Sequence, residues 1–239
     1  MRNICAIMQR ELLSLFCSPI GYIVIAGFLL ITGVSVLWTG SFSPGKPATL
    51  REVFFWTPWV LTVIVPAISM RAIAEEYRSG TIESLMTAPV SDVQLVLGKY
   101  LASLIFYVIM LAPTLVYLVL MRVYGNPDMG ASLAAYLGLL LVGMMFLAFG
   151  LFASSLTSNQ VVAWILGWVP LLLFACLAFF VVGLVHGWVR AVFQQVNVIG
   201  RFDEFSRGLI TTDGVLFFLV GTALFLFLAV KVVESRRWR

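Results

Sequence analysis

Six long apolar stretches constrain this chain more than any other feature. They cover Ile20–Trp38, Val53–Met70, Leu95–Met121, Ala131–Ala153, Val161–Val185 and Gly214–Val233. An α-helix rises about 1.5 Å per residue, so each stretch reaches or nearly reaches across the roughly 30 Å hydrocarbon core of a bilayer. Charged residues make up 11% of the 239 residues, against about 25% in soluble domains. The sequence therefore predicts an all-α membrane protein with six transmembrane helices, and not a soluble bundle.

The first twenty residues carry an amphipathic pattern of their own. Their apolar residues recur at three- and four-residue spacings, as on one helix face: Ile4, Ile7, Met8, Leu12, Leu15 and Phe16. Ser18 and Pro19 then favour a helix end. We interpret residues 1–19 as an interfacial helix on the membrane surface; the alternative is an extension of the first span. The apolar stretch that follows exceeds the roughly 7–15-residue core of a signal peptide, so we interpret it as a retained span.

Six spans place both termini on one side of a membrane, with residues 20–239 forming a single six-span domain. That side would carry most of the 15 basic residues: Arg2, Arg10, Arg71, Arg78, Lys99, Lys231, Arg236, Arg237 and Arg239. Because Lys and Arg are enriched on the cytoplasmic side, we predict that both termini are cytoplasmic. The basic residues gather at span ends, so the net charge of +4 indicates membrane topology and not nucleic-acid binding.

Side chains for chemistry inside the membrane are missing from the predicted spans, which hold no acid or histidine near their middles. Ion-coupled carriers need ionisable groups there, and intramembrane enzymes need paired acids, a Ser/His set or metal ligands. Lys99 lies four residues inside the third stretch, and we expect its side chain to reach the headgroups. Cys5, Cys17 and Cys176 have neither disulfide nor metal spacing. The sequence therefore predicts no catalytic, cofactor or metal site.

One segment, GSFSPGKP at Gly40–Pro47, matches the spacing of a phosphate-binding loop. Pro47 stands where such a loop needs Ser or Thr to bind magnesium, and proline lacks the backbone N–H that would contact phosphate. No strand precedes the segment, which joins two predicted spans. We therefore interpret it as a Gly/Pro connection.

Prolines and small residues interrupt the apolar stretches. Pro58, Pro66, Pro113 and Pro170 fall inside predicted spans, where they can kink a helix that its neighbours support. Pairs of small residues four apart would let two helices approach closely: Ala134/Gly138, Gly150/Ser154 and Ala163/Gly167.

The connection at residues 186–213 is too apolar for an ordinary solvated loop. It contains two helical stripes of apolar residues: Val189, Val192, Phe193 and Val196, and then Phe202, Phe205 and Leu209. Gly200 lies between the stripes and predicts a break. We interpret the segment as two short extracytoplasmic helices, half-buried in the outer membrane interface; the alternative is two helices packed on the outer surface of the protein.

A charged segment, AEEYRSGTIESLMTAPVSD at Ala74–Asp92, separates the second and third stretches. Arg71 and Glu75 are four residues apart and Glu75 and Arg78 three, so we expect both pairs to meet on one helix face. Thr81 after Gly80 favours a new helix start. The second helix would carry Glu83 in its first turn, an apolar face of Ile82, Leu85 and Met86, and an end at Pro89. It suits either docking into a partner or an ordinary capped turn.

The third predicted span opens with a capping signal. Ser91 and Gln94 have the S-x-x-Q spacing of a capping box, in which each side chain bonds the other residue's backbone N–H.

The phrase EEYRSGTIESLMTAPVSDVQLVLGKYL, which begins at Glu75, resembles the signature of type-2 ATP-binding-cassette (ABC) transporter permeases. A second phrase, RFDEFSRGLITTDGVLFFL at Arg201–Leu219, is similar to permeases of gliding-motility-type ABC systems and of systems that mature nitrous oxide reductase. The resemblance implies that residues 71–91 are the coupling region, which sits in a cleft of the ATPase subunit through Glu75, Glu76, Arg78, Gly80, Thr81, Ile82, Glu83, Leu85, Met86 and Pro89. It also implies an extracytoplasmic gate loop with Phe202, Phe205 and Gly208.

By this resemblance the chain is a permease subunit of the bacterial inner membrane and not itself an enzyme. Two permeases, as a homodimer, and two ABC ATPase subunits would form the working unit, which an extracytoplasmic accessory protein could join. The permease would need no cofactor, because ATP would be bound by the ATPase. The transporter would export a substrate or do mechanical work. The alternative is a secondary transporter or channel that works alone.

Overall fold

The computed structural model describes residues 2–40, 49–80, 91–125, 127–184 and 187–237. Its helices in chain order are α1 (Arg2–Cys17), α2 (Pro19–Thr39), α3 (Arg51–Ser69), α4 (Ala74–Ser79), α5 (Asp92–Leu111), α6 (Leu115–Tyr124), α7 (Met129–Leu156), α8 (Gln160–Leu184), α9 (Trp188–Val196), α10 (Val198–Ser206) and α11 (Thr212–Arg237). The described ranges contain no β-strand, and six helical segments within them are long and apolar enough to cross a membrane. The predicted fold class is confirmed.

Helix α7 lies at the centre of the bundle, in contact with α3, α5, α8, α10 and α11. Its small residues allow this close packing. A side-chain carbon at Gly143 would lie 2.2 Å from the ring of Tyr107, and one at Gly138 would lie 2.8 Å from Phe205. A side-chain carbon at Gly167 of α8 would lie 2.9 Å from Pro66. The predicted role of small residues in helix contacts is therefore confirmed at Gly138 and Gly167.

The third span is broken where Pro113 predicts a kink. Helix α5 ends at Leu111, a 3-10 turn covers Ala112–Thr114, and α6 begins at Leu115. Proline cannot donate a backbone hydrogen bond, and its ring crowds the preceding turn, so the α-helical ladder is interrupted. The hydroxyl of Tyr136 donates to the Thr114 carbonyl over 2.8 Å, which gives this interrupted stretch a partner from α7.

The N-terminal helix α1 is separate from the first span. Ser18 between them has extended backbone angles, and Pro19 begins α2. The apolar face of α1 packs along α5, with Ile7 buried against Gly98, whereas Leu13 on the other face is exposed. The position of α1 relative to a membrane surface stays a prediction.

The two short helices α9 and α10 meet at Asn197, and the predicted break at Gly200 is wrong. The side chain of Asn197 caps α10 by accepting the backbone N–H of Gly200 over 2.9 Å. Gly200 lies inside α10, where a side-chain carbon would come within 3.0 Å of the capping amide. Leu209 lies beyond the helix and is exposed, so it does not continue the stripe of Phe202 and Phe205.

Replacing Gly143 by leucine is expected to lower the free energy of unfolding by about 1–3 kcal/mol, because the added atoms would displace the fully buried ring of Tyr107. Thermal unfolding of the purified protein in detergent measures the change. Gly27→Leu is the matched control, since no atom lies within 4 Å of the carbon that would be added there. Equal melting temperatures for the two variants would contradict the packing described for α7.

Candidate functional site: a buried ionic cluster between three helices

The structure describes the two ends of the predicted coupling region. Glu75, Glu76 and Arg78 lie on α4, and Gly80 ends that helix with a left-handed φ of 71°, which favours glycine. Six predicted coupling residues lie outside the described residues: Thr81, Ile82, Glu83, Leu85, Met86 and Pro89.

The chain resumes at the predicted capping box, which is confirmed. Ser91 Oγ accepts the Gln94 N–H over 3.3 Å, and Gln94 Oε1 accepts the Ser91 N–H over 3.4 Å. This reciprocal cap satisfies backbone donors at the start of α5 and fixes the point where the chain leaves residues 81–90.

Four charged side chains from α1, α4 and α5 meet in one place: Arg10, Glu11, Glu76 and Lys99. We refer to them as the ionic cluster. Lys99 Nζ lies 2.9 Å from Glu11 Oε1 and 2.8 Å from Glu76 Oε1. Arg10 Nη2 reaches the same two oxygens over 2.9 Å and 2.8 Å. The cluster therefore joins α1, α4 and α5.

Burial separates this cluster from surface ion pairs. The side chain of Lys99 is 1% exposed and that of Glu76 is 9% exposed, whereas Arg10 is 56% exposed and covers the cluster from outside. Two cations and two carboxylates balance the charge. A buried charge without a partner is strongly unfavourable, so each member depends on the others.

The contacts within the ionic cluster also shift the pKa values of Glu11 and Arg10. Burial by itself would raise the pKa of Glu11, but Lys99 and Arg10 outweigh it and hold the pKa below its ordinary value. Glu11 in turn is the main reason that the pKa of Arg10 is raised. Because the pKa of Glu11 is lowered in the folded chain, its stabilising effect is present at neutral pH and is lost as the pH falls through that lowered pKa.

Two sequence-based expectations about these charges are wrong. Lys99 does not extend to the headgroups, since its ammonium is buried between two carboxylates. Arg71 and Arg78 do not form ion pairs with Glu75; Arg71 instead donates to Ser18 Oγ over 2.5 Å. Glu11 and Glu76 are separated from Lys99 by 88 and 23 positions, so helix spacing could not predict their contact.

The turn between α3 and α4 is held by Ser154 of α7. Its hydroxyl oxygen accepts the backbone N–H groups of Ile73 and Ala74 over 3.2 Å and 3.0 Å, and it donates to the Met70 carbonyl over 2.9 Å. Ser154 is fully buried, so these bonds are shielded from water. They give the backbone of the turn the partners that a helix would otherwise supply.

The far end of α4 contacts the C-terminal helix. The guanidinium of Arg236 lies 4.6 Å from the centre of the Tyr77 ring, a cation–π distance, and it also donates to the Leu156 carbonyl. Helix α4 is thus in contact with α7 and α11, and through the ionic cluster with α1 and α5.

A cleft of about 340 Å³ adjoins the ionic cluster and is lined by polar side chains that include Arg71, Glu75, Ser79 and Ser103. Within the described residues, the Oε2 atoms of Glu75 and Glu76 are buried without a hydrogen-bond partner. No three His, Cys, Asp or Glu side chains in that part of the chain come together as a metal site requires.

The profile of the ABC-2 family transporter protein matches residues 53–232, about three quarters of the chain. The chain belongs to the ABC-2 family. Members are membrane subunits that are not themselves catalytic, and membership implies association with an ABC ATPase subunit. With six apolar helices, this ABC-2 family member is a multi-pass membrane protein. No curated protein matched the chain significantly.

The ionic cluster of this ABC-2 chain lies partly inside and partly outside the residues that match the family. Glu76 and Lys99 lie inside the matched residues, and Arg10 and Glu11 lie before them. A lysine within an apolar stretch and an acid beside an apolar helix face are the two sequence signals that could have indicated a buried pair.

The predicted gate residues of this ABC-2 chain lie at the other end of the bundle. Phe202 and Phe205 are buried against Gly138 of α7, and Gly208 adopts a left-handed φ of 82° beside Ala131. These aromatic side chains therefore pack inside the protein. Their role in gating stays a prediction.

Proposed function

We propose that this chain is the membrane-spanning permease subunit of an ABC transporter, which couples ATP hydrolysis by a separate ATPase subunit to export or mechanical work. The observation that carries the proposal is the ion pair of Glu76 and Lys99. Glu76 precedes residues 81–90 and Lys99 follows them, so the pair ties together the two helices that flank this segment. A partner that pushed on the segment would therefore move α4 and α5 as one body.

Direct contacts link α4 and α5 to the neighbouring helices. Helix α4 continues into α3 through the turn bonded to Ser154, so displacement of α4 pulls on α3 and α7. Helix α5 is the first part of the third span. Helix α1 moves with α4 and α5, because Arg10 pairs with Glu76 and Glu11 pairs with Lys99. Closure of an ATPase dimer against residues 75–89 would thus reach four helices at once.

The working unit in this proposal contains two permease copies, as a homodimer, and two ABC ATPase subunits that bind the ATP. Both termini face the cytoplasm of a bacterial cell and the protein lies in the inner membrane, a proposal supported by the Lys and Arg residues on the side of the termini. The phrase at Arg201–Leu219 supports assignment to the branch that resembles gliding-motility and nitrous-oxide-reductase-maturation systems. An extracytoplasmic accessory protein completes the proposed assembly.

Docking is tested by truncating the apolar face of the segment with Leu85→Ala and Met86→Ala together. A fully buried side chain of this type contributes roughly 1.5–3 kcal/mol, so we expect the double variant to bind the ATPase about tens- to hundreds-fold more weakly. Pull-down of the ATPase with the purified permease measures the loss. The melting temperature of the permease should not change.

The matched control is Leu133→Ala with Leu137→Ala, which truncates two exposed apolar side chains of α7. This control should retain the ATPase. Unchanged retention in the Leu85/Met86 variant would mean that residues 81–90 form a capped turn and not a docking element.

A further inference from the structure

A polar cleft lies at the end of the bundle away from the ionic cluster. It has a volume of about 740 Å³, and its lining includes Arg51, Glu52, Asp203 and Arg207. An apolar groove of about 440 Å³ runs beside α2 and is lined by Leu30, Ile31, Val34, Ser35, Trp38, Thr39 and Trp56. Trp38, Thr39 and Trp56 line both spaces, so cleft and groove are continuous.

The groove offers an uninterrupted apolar surface. Leu30, Ile31, Val34 and Trp38 recur on one face of α2, and all four are exposed, Trp38 by 88%. The hydroxyl of Ser35 donates to the Ile31 carbonyl of its own helix over 2.8 Å, so it needs no polar partner from a bound molecule. A surface of this shape and chemistry accommodates a hydrocarbon chain.

The cleft separates positive from negative charge. Asp203 accepts from Arg51 over 3.4 Å and from Arg207 over 2.5 Å, so two guanidinium groups share one carboxylate and leave a positive excess. Burial alone would raise the pKa of Asp203, but Arg207 and Arg51 lower it, so the carboxylate is charged at neutral pH. Glu52 is exposed and forms no ion pair with the described residues, which leaves a negative excess beside Trp38 and Trp56.

We propose that cleft and groove together bind a phospholipid with a phosphoethanolamine headgroup. The phosphate lies at Arg51 and Arg207, the ammonium lies at Glu52 and the tryptophan rings, and an acyl chain fills the groove. Arginine binds phosphate through paired donors, and tryptophan faces attract ammonium groups. A phosphatidylglycerol headgroup would leave Glu52 without a cation, and soluble phosphoethanolamine would leave the groove unused.

The test uses the full-length permease alone, delipidated in detergent and incubated with phosphatidylethanolamine, phosphatidylglycerol or soluble phosphoethanolamine. Native mass spectrometry counts the molecules retained. We expect about a tenfold preference for phosphatidylethanolamine over phosphatidylglycerol, because one hydrogen bond between charged groups separates the two lipids. Soluble phosphoethanolamine should not compete at equal concentration.

Two variants test which residues produce the preference for phosphatidylethanolamine. Glu52→Gln should abolish the selectivity while phosphatidylglycerol binding persists, and Arg207→Gln should weaken binding of both lipids. The control is Glu234→Gln, an acid at the opposite end of the bundle, which should behave as wild type. Equal retention of the two lipids by wild type, or unchanged selectivity in Glu52→Gln, would overturn the proposal. Neither outcome depends on an ATPase, so a failure here is distinct from failure of the docking experiment.

Discussion

Replacing Lys99 by methionine is expected to lower the free energy of unfolding by about 3–5 kcal/mol, although the new side chain is more hydrophobic. The change removes the buried cation that lies within 3 Å of both Glu11 and Glu76. Among the described residues, their carboxylates would then share only the partly exposed Arg10. Removal of one partner from a buried ion pair leaves an uncompensated charge. Thermal unfolding in detergent and in nanodiscs measures the loss.

The matched control is Lys231→Met, which removes a lysine whose pair with Glu234 is exposed on α11. This variant should stay within about 1 kcal/mol of wild type. The double variant Lys99→Met/Glu76→Gln should recover part of the loss, because one buried negative charge is removed with the positive one. A melting temperature for Lys99→Met equal to that of Lys231→Met would contradict the role of the ionic cluster in holding α1, α4 and α5 together.

Replacing Ser154 by alanine is expected to cost about 2–5 kcal/mol, because two buried backbone N–H groups and one carbonyl lose their partner. An unsatisfied buried polar group costs about 1–3 kcal/mol. The loss should appear in thermal unfolding. Under the proposed function, the ATPase activity of the complex with the permease should also fall, since the turn that connects α4 to α3 is no longer bonded to α7.

The neighbouring Ser155 supplies the control, since it is equally buried but donates only to the Phe152 carbonyl of its own helix over 2.6 Å. Ser155→Ala should therefore be close to wild type in stability. If the two alanine variants lose the same stability, the contacts of Ser154 with the turn contribute nothing beyond the helix itself.

The elements that the sequence predicts well are those with a local cause. Length and hydrophobicity of a stretch decide whether a helix can span a bilayer. Six helical segments long and apolar enough to do so are found, and the helix ends lie close to the predicted ones. The capping box at Ser91 and the break at Pro113 depend on residues within one turn of the site. Such features can be predicted without knowledge of the rest of the fold.

The ionic cluster could not be predicted in this way, because it depends on how α1 lies against α5. The local rule for charges three or four residues apart favoured Arg71 with Glu75, yet partners more distant in sequence prevailed. The break predicted at Gly200, within residues 186–213, was wrong for a related reason. Gly200 has the low helix propensity of any glycine, but the side chain of Asn197 caps α10 and needs the space that glycine leaves.

The order of synthesis gives the ionic cluster a further property. Glu11 and Glu76 both precede Lys99 in the chain, so both carboxylates have left the ribosome when the lysine reaches the insertion machinery. A charged residue in an inserting segment is unfavourable when it has no partner. Here the carboxylates of Glu11 and Glu76 are synthesised before Lys99. The third span can therefore enter the membrane with its lysine already paired. A chain that carried the same three helices in reverse order would present the cation first.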